Sequence, residues 1–143
     1  MALKQLNVFV EKKRGALVSI TQTLAEHNVD IRALSIADTE EFGILRMIVS
    51  DIDTAKSALA NLGCIVNISE VVGLKIGDAP GKLSAALDVL DKACINVEYL
   101  YAFLTRTERH AYVVFRVAEN DAAEDILTNA GFHLISDADV LKL

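Results

Sequence analysis

Leu6, Val8 and Val10 are interleaved with Gln5, Asn7 and Phe9, and this period of two predicts a strand. After the Lys12-Lys13-Arg14-Gly15 stretch the period changes: Leu17, Ile20, Leu24 and Ala25 fall at helical spacing, and Glu26 to Asn28 close the helix. Ile31 to Ala37 is β-branched and apolar, a second strand. Asp38-Thr39-Glu40-Glu41 reads as a polar hairpin turn, and Phe42 to Val49 as a third strand. Asp51 or Asp53 caps a second helix with Ala55, Ala58, Leu59 and Leu62 on its inner face. Gly63 ends that helix, and Cys64 to Ile68 is a fourth strand. The order is β-α-β-β-α-β.

The same order then recurs. Leu74 and Ile76 mark a strand, Leu83 to Ala93 a helix, and Val97 to Leu104 a strand. Thr105 to His110 is a charged hairpin, Ala111 to Val117 a strand, Asp121 to Gly131 a helix, and Phe132 to Ile135 a strand. Gly15 falls on Gly81, Leu17 on Leu83 and Leu24 on Leu90. Beyond the second hairpin, which is longer, Asp53 falls on Asp121 and Gly63 on Gly131. Matching glycines at matching turns indicate two like units, each a split β-α-β of ferredoxin-like order. The expected class is α+β: two such units, 1–70 and 71–143, sharing or abutting one antiparallel sheet with helices on one face. Val140 to Leu143 resembles the Val72 to Ile76 run and predicts an added C-terminal strand.

Edge strands are normally blunted by charge or proline. After Arg32 and Glu98, the second strand of each unit carries neither. These edges are therefore expected to be covered, most simply by each other, giving eight strands in a continuous sheet. Tyr99, Tyr101 and Phe103 would then line an open face that needs a ligand or a second chain.

The Gly77-Asp78-Ala79-Pro80-Gly81-Lys82-Leu83 stretch lies between a strand and a helix. A helix N-terminus has unpaired N–H groups and a partial positive charge, which suits a carboxylate or phosphate. Pro80 suits the first helical turn, and Asp78 a cap. Lys12 to Leu17 echoes this loop, with Arg14, Gly15, Ala16 and Leu17 at the helix start.

Composition narrows the functions. The chain has 143 residues, and a formal charge of −6 argues against a nucleic-acid partner. No apolar run is long enough to span a membrane, and the opening residues read as a strand, not a leader peptide. Cys64 and Cys94 fit neither a disulfide framework nor a zinc site, and a reduced cytoplasmic setting is expected. His27, His110 and His133 fall on different elements, no serine has a plausible base, and no P-loop is present. The expectation is a binding module with no cofactor and no metal, and not an enzyme. Arg14 alone would support a small acyl-phosphate hydrolase.

Loop, order and tandem repetition together resemble the ACT domain family. The carriers are Asp78-Ala79-Pro80-Gly81, the Ile31 to Asp38 stretch with Phe42 to Arg46 after it, and Glu98 to Phe103. The resemblance implies an amino acid held where two units meet. It assigns Asp78, Ala79, Pro80, Gly81, Lys82 and Leu83 to the α-carboxylate and α-ammonium, and Ser35, Ile36, Ala37, Tyr99 and Tyr101 to the side-chain wall. The first loop departs from the pattern, with Lys12, Lys13 and Arg14 where acidic or amide residues and proline are usual. It reads either as a solvated basic turn or as a second site for a more anionic ligand paired with Arg14. The resemblance implies a sensor, expected to be a homodimer, that reports to a partner enzyme. The alternative is a structural dimerisation or regulatory subunit without its own ligand.

Overall fold

A computed structural model describes residues 2–38, 40–105 and 109–143. The elements run β1 (Leu3–Glu11), α1 (Ala16–Glu26), β2 (Ile31–Asp38), β3 (Phe42–Val49), α2 (Ile52–Asn61) and β4 (Val66–Gly77). They continue α3 (Lys82–Lys92), β5 (Tyr99–Ala102), β6 (His110–Arg116), α4 (Asn120–Asn129), β7 (His133–Ile135) and α5 (Asp137–Val140). Thr39 of the first expected hairpin turn and residues 106–108 of the second lie outside the described residues, as does Met1. Two compact units divide the chain: Lys4–Ser69, and Glu70–Leu143 together with Met1–Leu3.

In the unit Lys4–Ser69, β3 pairs antiparallel with both β1 and β2. Val8 stands opposite Leu45, and Met47 opposite both Leu6 and Leu34. Alternation along β1 and β3 puts Leu6, Val8, Leu45 and Met47 on one face, where they meet Ile20 and Leu24 of α1 and Ala55 and Leu59 of α2. Asp51 caps α2, its carboxylate accepting from the Thr54 N–H at 3.1 Å. The other face of β1 is polar and still buried. Gln5 donates to Asn7 at 2.7 Å, and Asn7 donates to Asn67 at 2.7 Å and to Ser69 at 2.8 Å. Every amide in that chain has a partner, as burial requires.

In the other unit, β6 pairs antiparallel with β4 and β5, and β7 pairs antiparallel with β4. Its core repeats the first: Val72, Leu74, Val113 and Phe115 meet Ala86 and Leu90 of α3 and Leu127 of α4. The α+β class, with antiparallel ladders and the ferredoxin-like order in each unit, is the fold observed.

Three expectations are corrected. The stretches read as separate strands on either side of Ser69 are one strand, β4, so the described residues form seven strands and not eight. Ser69-Glu70-Val71-Val72 holds no proline or glycine, and an extended chain simply continues. Among the described residues of its own unit β2 ladders with β3, and β5 likewise with β6. The aromatic face is not open: Tyr101 and Phe103 are 7% and 8% exposed. Tyr99 stacks on Tyr101 at 6.4 Å, and Phe103 meets Tyr112 edge-on at 6.2 Å.

The third correction is the C-terminus, where Asp137–Val140 is a helical turn and not a strand. Ser136 decides it. Its side chain accepts from the Asp139 N–H while the Asp139 carboxylate accepts from the Ser136 N–H at 2.9 Å, a reciprocal cap. Val140 is buried as a result. The hydrogen bonds from the Ser136 backbone and hydroxyl hold the Asp139 carboxyl below its usual range. A lowered folded pKa means the stabilisation is present above the unfolded value and is lost as pH falls through the folded one. Amide exchange at Ser136 and Val140 should therefore accelerate selectively as the solution is acidified past the ordinary aspartate range. Unchanged protection of these two amides would refute this cap.

Candidate functional site

Both strand-to-helix loops have the same backbone. Gly15 and Gly81 are the N-caps of α1 and α3, with φ of 90° and 86° and no side-chain cap. Glycine is the residue that takes this left-handed conformation without strain. The Ser19 N–H donates to Gly15 at 3.0 Å, and that of Ala85 to Gly81 at 3.0 Å. The N–H groups of Leu17, Val18, Leu83 and Ser84 have no backbone acceptor among the described residues. Each helix therefore begins with bare amides and its positive dipole end. Asp78 is not the cap expected of it: its N–H donates to the Arg109 carbonyl at 2.9 Å, outside the helix. Pro80 precedes the cap and does not enter the first turn.

The side chains distinguish the loops strongly. A cleft of about 750 Å³ opens at the first loop, lined only by residues of the unit Lys4–Ser69. Arg14, Gly15, Ala16 and Ser19 form its helix end. Phe9, Ile20, Phe42 and Ile65 give it an apolar wall, with Phe9 and Phe42 edge-to-face at 5.4 Å. Leu62, Gly63 and Cys64 close the opposite side. Burial pushes the Cys64 thiol up, which keeps it protonated and poorly nucleophilic.

The charges at the cleft are mostly spoken for. Lys13 pairs with Glu11 at 3.0 Å, and the neighbouring Lys12 with Asp38 at 2.5 Å. Arg14 forms no ion pair among the described residues. One guanidinium and one helix N-terminus therefore remain to attract an anion, beside a wall of rings and branched side chains.

The second loop has the same backbone and a different filling. The stem of Lys82 lies across Gly77, where an added Cβ would meet its Cγ, Cδ and Cε at 3.2, 3.3 and 3.3 Å. By the repeat, Ala16 stands where Lys82 does and Glu11 where Gly77 does. The register extends the comparison: Phe42 faces Glu11, and His110 faces Gly77. Phe9 and Ile65 correspond in the repeat to Lys75 and His133, which pair with each other. The apolar wall of the first unit has no counterpart in the second.

The candidates named from the sequence divide accordingly. Arg14, Gly15 and Ala16 are brought together at the cleft, and Leu17 follows on α1 without lining it. Asp78, Ala79, Pro80, Gly81, Lys82 and Leu83 form the exposed loop and helix start of the other unit. Ser35, Ile36 and Ala37 lie on β2 with Ile36 half exposed, and they do not line the cleft. Tyr99 is half-buried and Tyr101 buried on β5. Sequence reasoning missed Phe9, Phe42, Leu62 and Ile65. The one signal was Phe9, an aromatic among the polar positions of β1. Among the described residues no group of three or more His, Cys, Asp or Glu could hold a metal ion. Among the same residues no helix is long and apolar enough to cross a membrane.

A family model described as "ACT domain pair" matches residues 1–143. Among solved structures, the chain is similar to a protein of Bacteroides thetaiotaomicron at 38% identity, covering 100% of this chain and 98% of that one, with a TM-score of 0.93. It is also similar to the regulatory subunit of aspartate kinase from Thermus thermophilus in its ligand-free form, at 14% identity, 90% and 91% coverage and a TM-score of 0.65. Aspartate kinase from Synechocystis matches at 18% identity over 90% of this chain and 25% of that one, with a TM-score of 0.59. These last two likenesses show the fold. No curated protein matches the chain.

Proposed function

The chain belongs to the family of ACT domain pairs, and from that premise we propose that it is a regulatory module whose ligand is an amino acid or an amino-acid-sized carboxylate. The observation that carries this reading is the cleft at Arg14, Gly15 and Ala16. It joins the N-terminal end of α1 and the Arg14 side chain to an apolar wall in a volume of about 750 Å³. Pockets of this kind, mostly apolar with a few converging polar groups, are where small ligands bind. The Arg14 guanidinium and the positive end of α1 would take the carboxylate, and Phe9, Phe42 and Ile65 the side chain. Cys64 is held protonated by burial and Glu11 pairs with Lys13, which favours regulation over catalysis at this cleft. The likeness to a regulatory subunit of aspartate kinase supports the same reading. On it the module works in the cytoplasm, with no cofactor, as a homodimer that passes its liganded state to an enzyme.

Melting temperature in the presence of the common amino acids and their deaminated analogues tests the reading. A ligand at a hundred times its Kd should add about 2.7 kcal/mol of apparent stability by mass action, an upward shift of several degrees. If none of them moves the transition at millimolar concentration, the sensor reading fails.

A second reading has its own observation. Ile65 is 70% exposed, and Leu17, Val18, Ile36 and Leu62 are also exposed in the same unit. Apolar surface of this kind suits a partner protein, as a structural subunit of an enzyme would need. Co-purification of a catalytic chain, without any ligand response, would favour it.

A further inference from the structure

The residues that wall the cleft have counterparts in the second unit, and four of these carry a basic side chain. Phe9 corresponds to Lys75, Ala16 to Lys82, Phe42 to His110 and Ile65 to His133. We infer that Lys75, Lys82, His110 and His133 form a second binding site, for a phosphate-type oxyanion. This goes beyond the reading of the cleft and stands whether or not the cleft takes an amino acid.

Strand register brings the four together. His133 of β7 stands directly opposite Lys75 of β4, and His110 of β6 directly opposite Gly77. Lys75 and Gly77 are two apart on one strand, so all these positions share one face of the sheet. Gly77 leaves that face bare, and the Lys82 stem fills the space: an added Cβ would meet its Cγ at 3.2 Å. Lys82 therefore lies on the same face, beside His110. Lys75 and His110 are half-buried, while Lys82 and His133 are exposed, so the patch is open to a solute.

No acid balances these charges. The chain holds 20 acidic residues against 14 lysines and arginines, so acids were not scarce. Elsewhere bases are paired: Lys12 with Asp38, Lys13 with Glu11, Lys92 with Asp88 and Arg116 with Glu98. Among the described residues, none of the four side chains has an ion pair or hydrogen bond. Asp139 acts on His133, but its carboxylate already accepts from the Ser136 N–H and hydroxyl. Asp78, the acid of the adjoining loop, is not free either. Like charges directly opposite on neighbouring strands weaken a sheet, and Lys75 faces a residue able to carry its own sign. An oxyanion seated between them turns that repulsion into attraction. Each lysine brings three donors, and an imidazole donates an N–H in either charge state. A phosphate has enough acceptor oxygens to serve them all. Folding does not explain the cluster, because the first unit builds the same sheet with Phe9, Ala16, Phe42 and Ile65 in these places.

The histidines supply the readout. As inorganic phosphate is added at constant ionic strength, the ring resonances of His110 and His133 should shift together and saturate. Those of His27, which caps α1 in the other unit, should stay in place. Glycerol 2-phosphate, titrated in parallel, separates two sources of the group. Tighter binding than inorganic phosphate would assign the site to a phosphate ester, and weaker binding to the free ion. Lys75→Gln should weaken phosphate by about tenfold or more, as loss of a charged donor does. Lys82→Gln, on an exposed residue, should do the same without disturbing the strand. Lys92→Gln lies ten residues along α3, about 15 Å away and beyond the screening length in physiological salt, so affinity should stay within about twofold. Shifts that never saturate, or that His27 shares, would mean screening alone and would overturn the site. Saturable binding that Lys75→Gln and Lys82→Gln leave untouched, or that Lys92→Gln weakens equally, would overturn it too.

Discussion

Ala16→Lys is expected to abolish ligand binding while the protein stays folded. The second unit supplies the reason, because it already carries this residue. Lys82 opens α3 as Ala16 opens α1, and its stem lies flat across Gly77. The backbone at the two helix starts is the same, with φ of 90° at Gly15 and 86° at Gly81. A lysine at position 16 would therefore take the same path over Glu11, into the volume between Gly15, Phe9 and Phe42. Glu11 has a Cβ where Gly77 has none, so the stem must shift by a few tenths of an ångström, which four methylenes allow. The ammonium adds a positive charge at the helix N-terminus, a cost of about 0.3–1 kcal/mol, too little to unfold a domain. Whichever compound raises the melting temperature of the wild type should fail to do so for the variant, at any concentration that saturates the wild type. The reciprocal change, Lys82→Ala, should clear the volume beside Gly77 without restoring an apolar wall. Retained affinity in Ala16→Lys, measured by titration, would show that the ligand lies elsewhere.

The comparison shows what was legible in the chain and what was not. Periodicity located both helices of each unit, because each core helix has an apolar stripe set by its own neighbours in sequence. The repeat located both loops, because only glycine fits the left-handed cap. What one sequence could not supply was which loop would be open. That depends on a contact between position 82 and position 77, and on three residues far along the chain, Phe42, Leu62 and Ile65, which converge only when β3 and the turn after α2 are in place. The Asp78-Ala79-Pro80-Gly81 run drew attention to the second loop, while the cleft formed around the loop that departs from that pattern. The terminal helix was missed for a similar reason. Val140-Leu141-Lys142-Leu143 looks like a strand, but Ser136 and Asp139 satisfy each other's amides first, and local capping overrides the alternation.

The two units have also diverged in ways that a shared fold tolerates. Core positions keep their character: Leu24 and Leu90 are each 1% exposed, and Leu59 and Leu127 are fully buried. The positions that changed are those whose side chains reach beyond the core, such as Phe9 to Lys75, Ala16 to Lys82 and Ile65 to His133. A folding constraint holds the first set, and only a ligand would hold the second. Binding chemistry could therefore change in one copy without a stability cost in either.

Gly73→Ala is expected to be the most damaging single-methyl change in the chain. Gly73 lies mid-strand in β4, opposite Val114 of β6 on one side and Ile135 of β7 on the other. Its φ is not in the left-handed region, so the argument is purely steric. A Cβ there would run into the Leu3 side chain and would lie 2.6 Å from Cγ1 of Ile135. Neither can retreat into solvent, since Leu3 is fully buried and Ile135 is 2% exposed. Forcing one extra methyl into a packed core costs about 1–3 kcal/mol. At roughly 2–4 °C per kcal/mol for a chain of this size, the melting temperature should fall by about 3–10 °C. A double-mutant cycle separates this cause from a general weakening of β4. Leu3→Ala alone leaves a cavity, and the new methyl at position 73 would partly fill it. The double variant should therefore be more stable than the sum of the two single losses by at least about 0.5 kcal/mol. Strict additivity would mean that Leu3 does not pack over Gly73. An unchanged melting temperature in Gly73→Ala would remove the contact altogether.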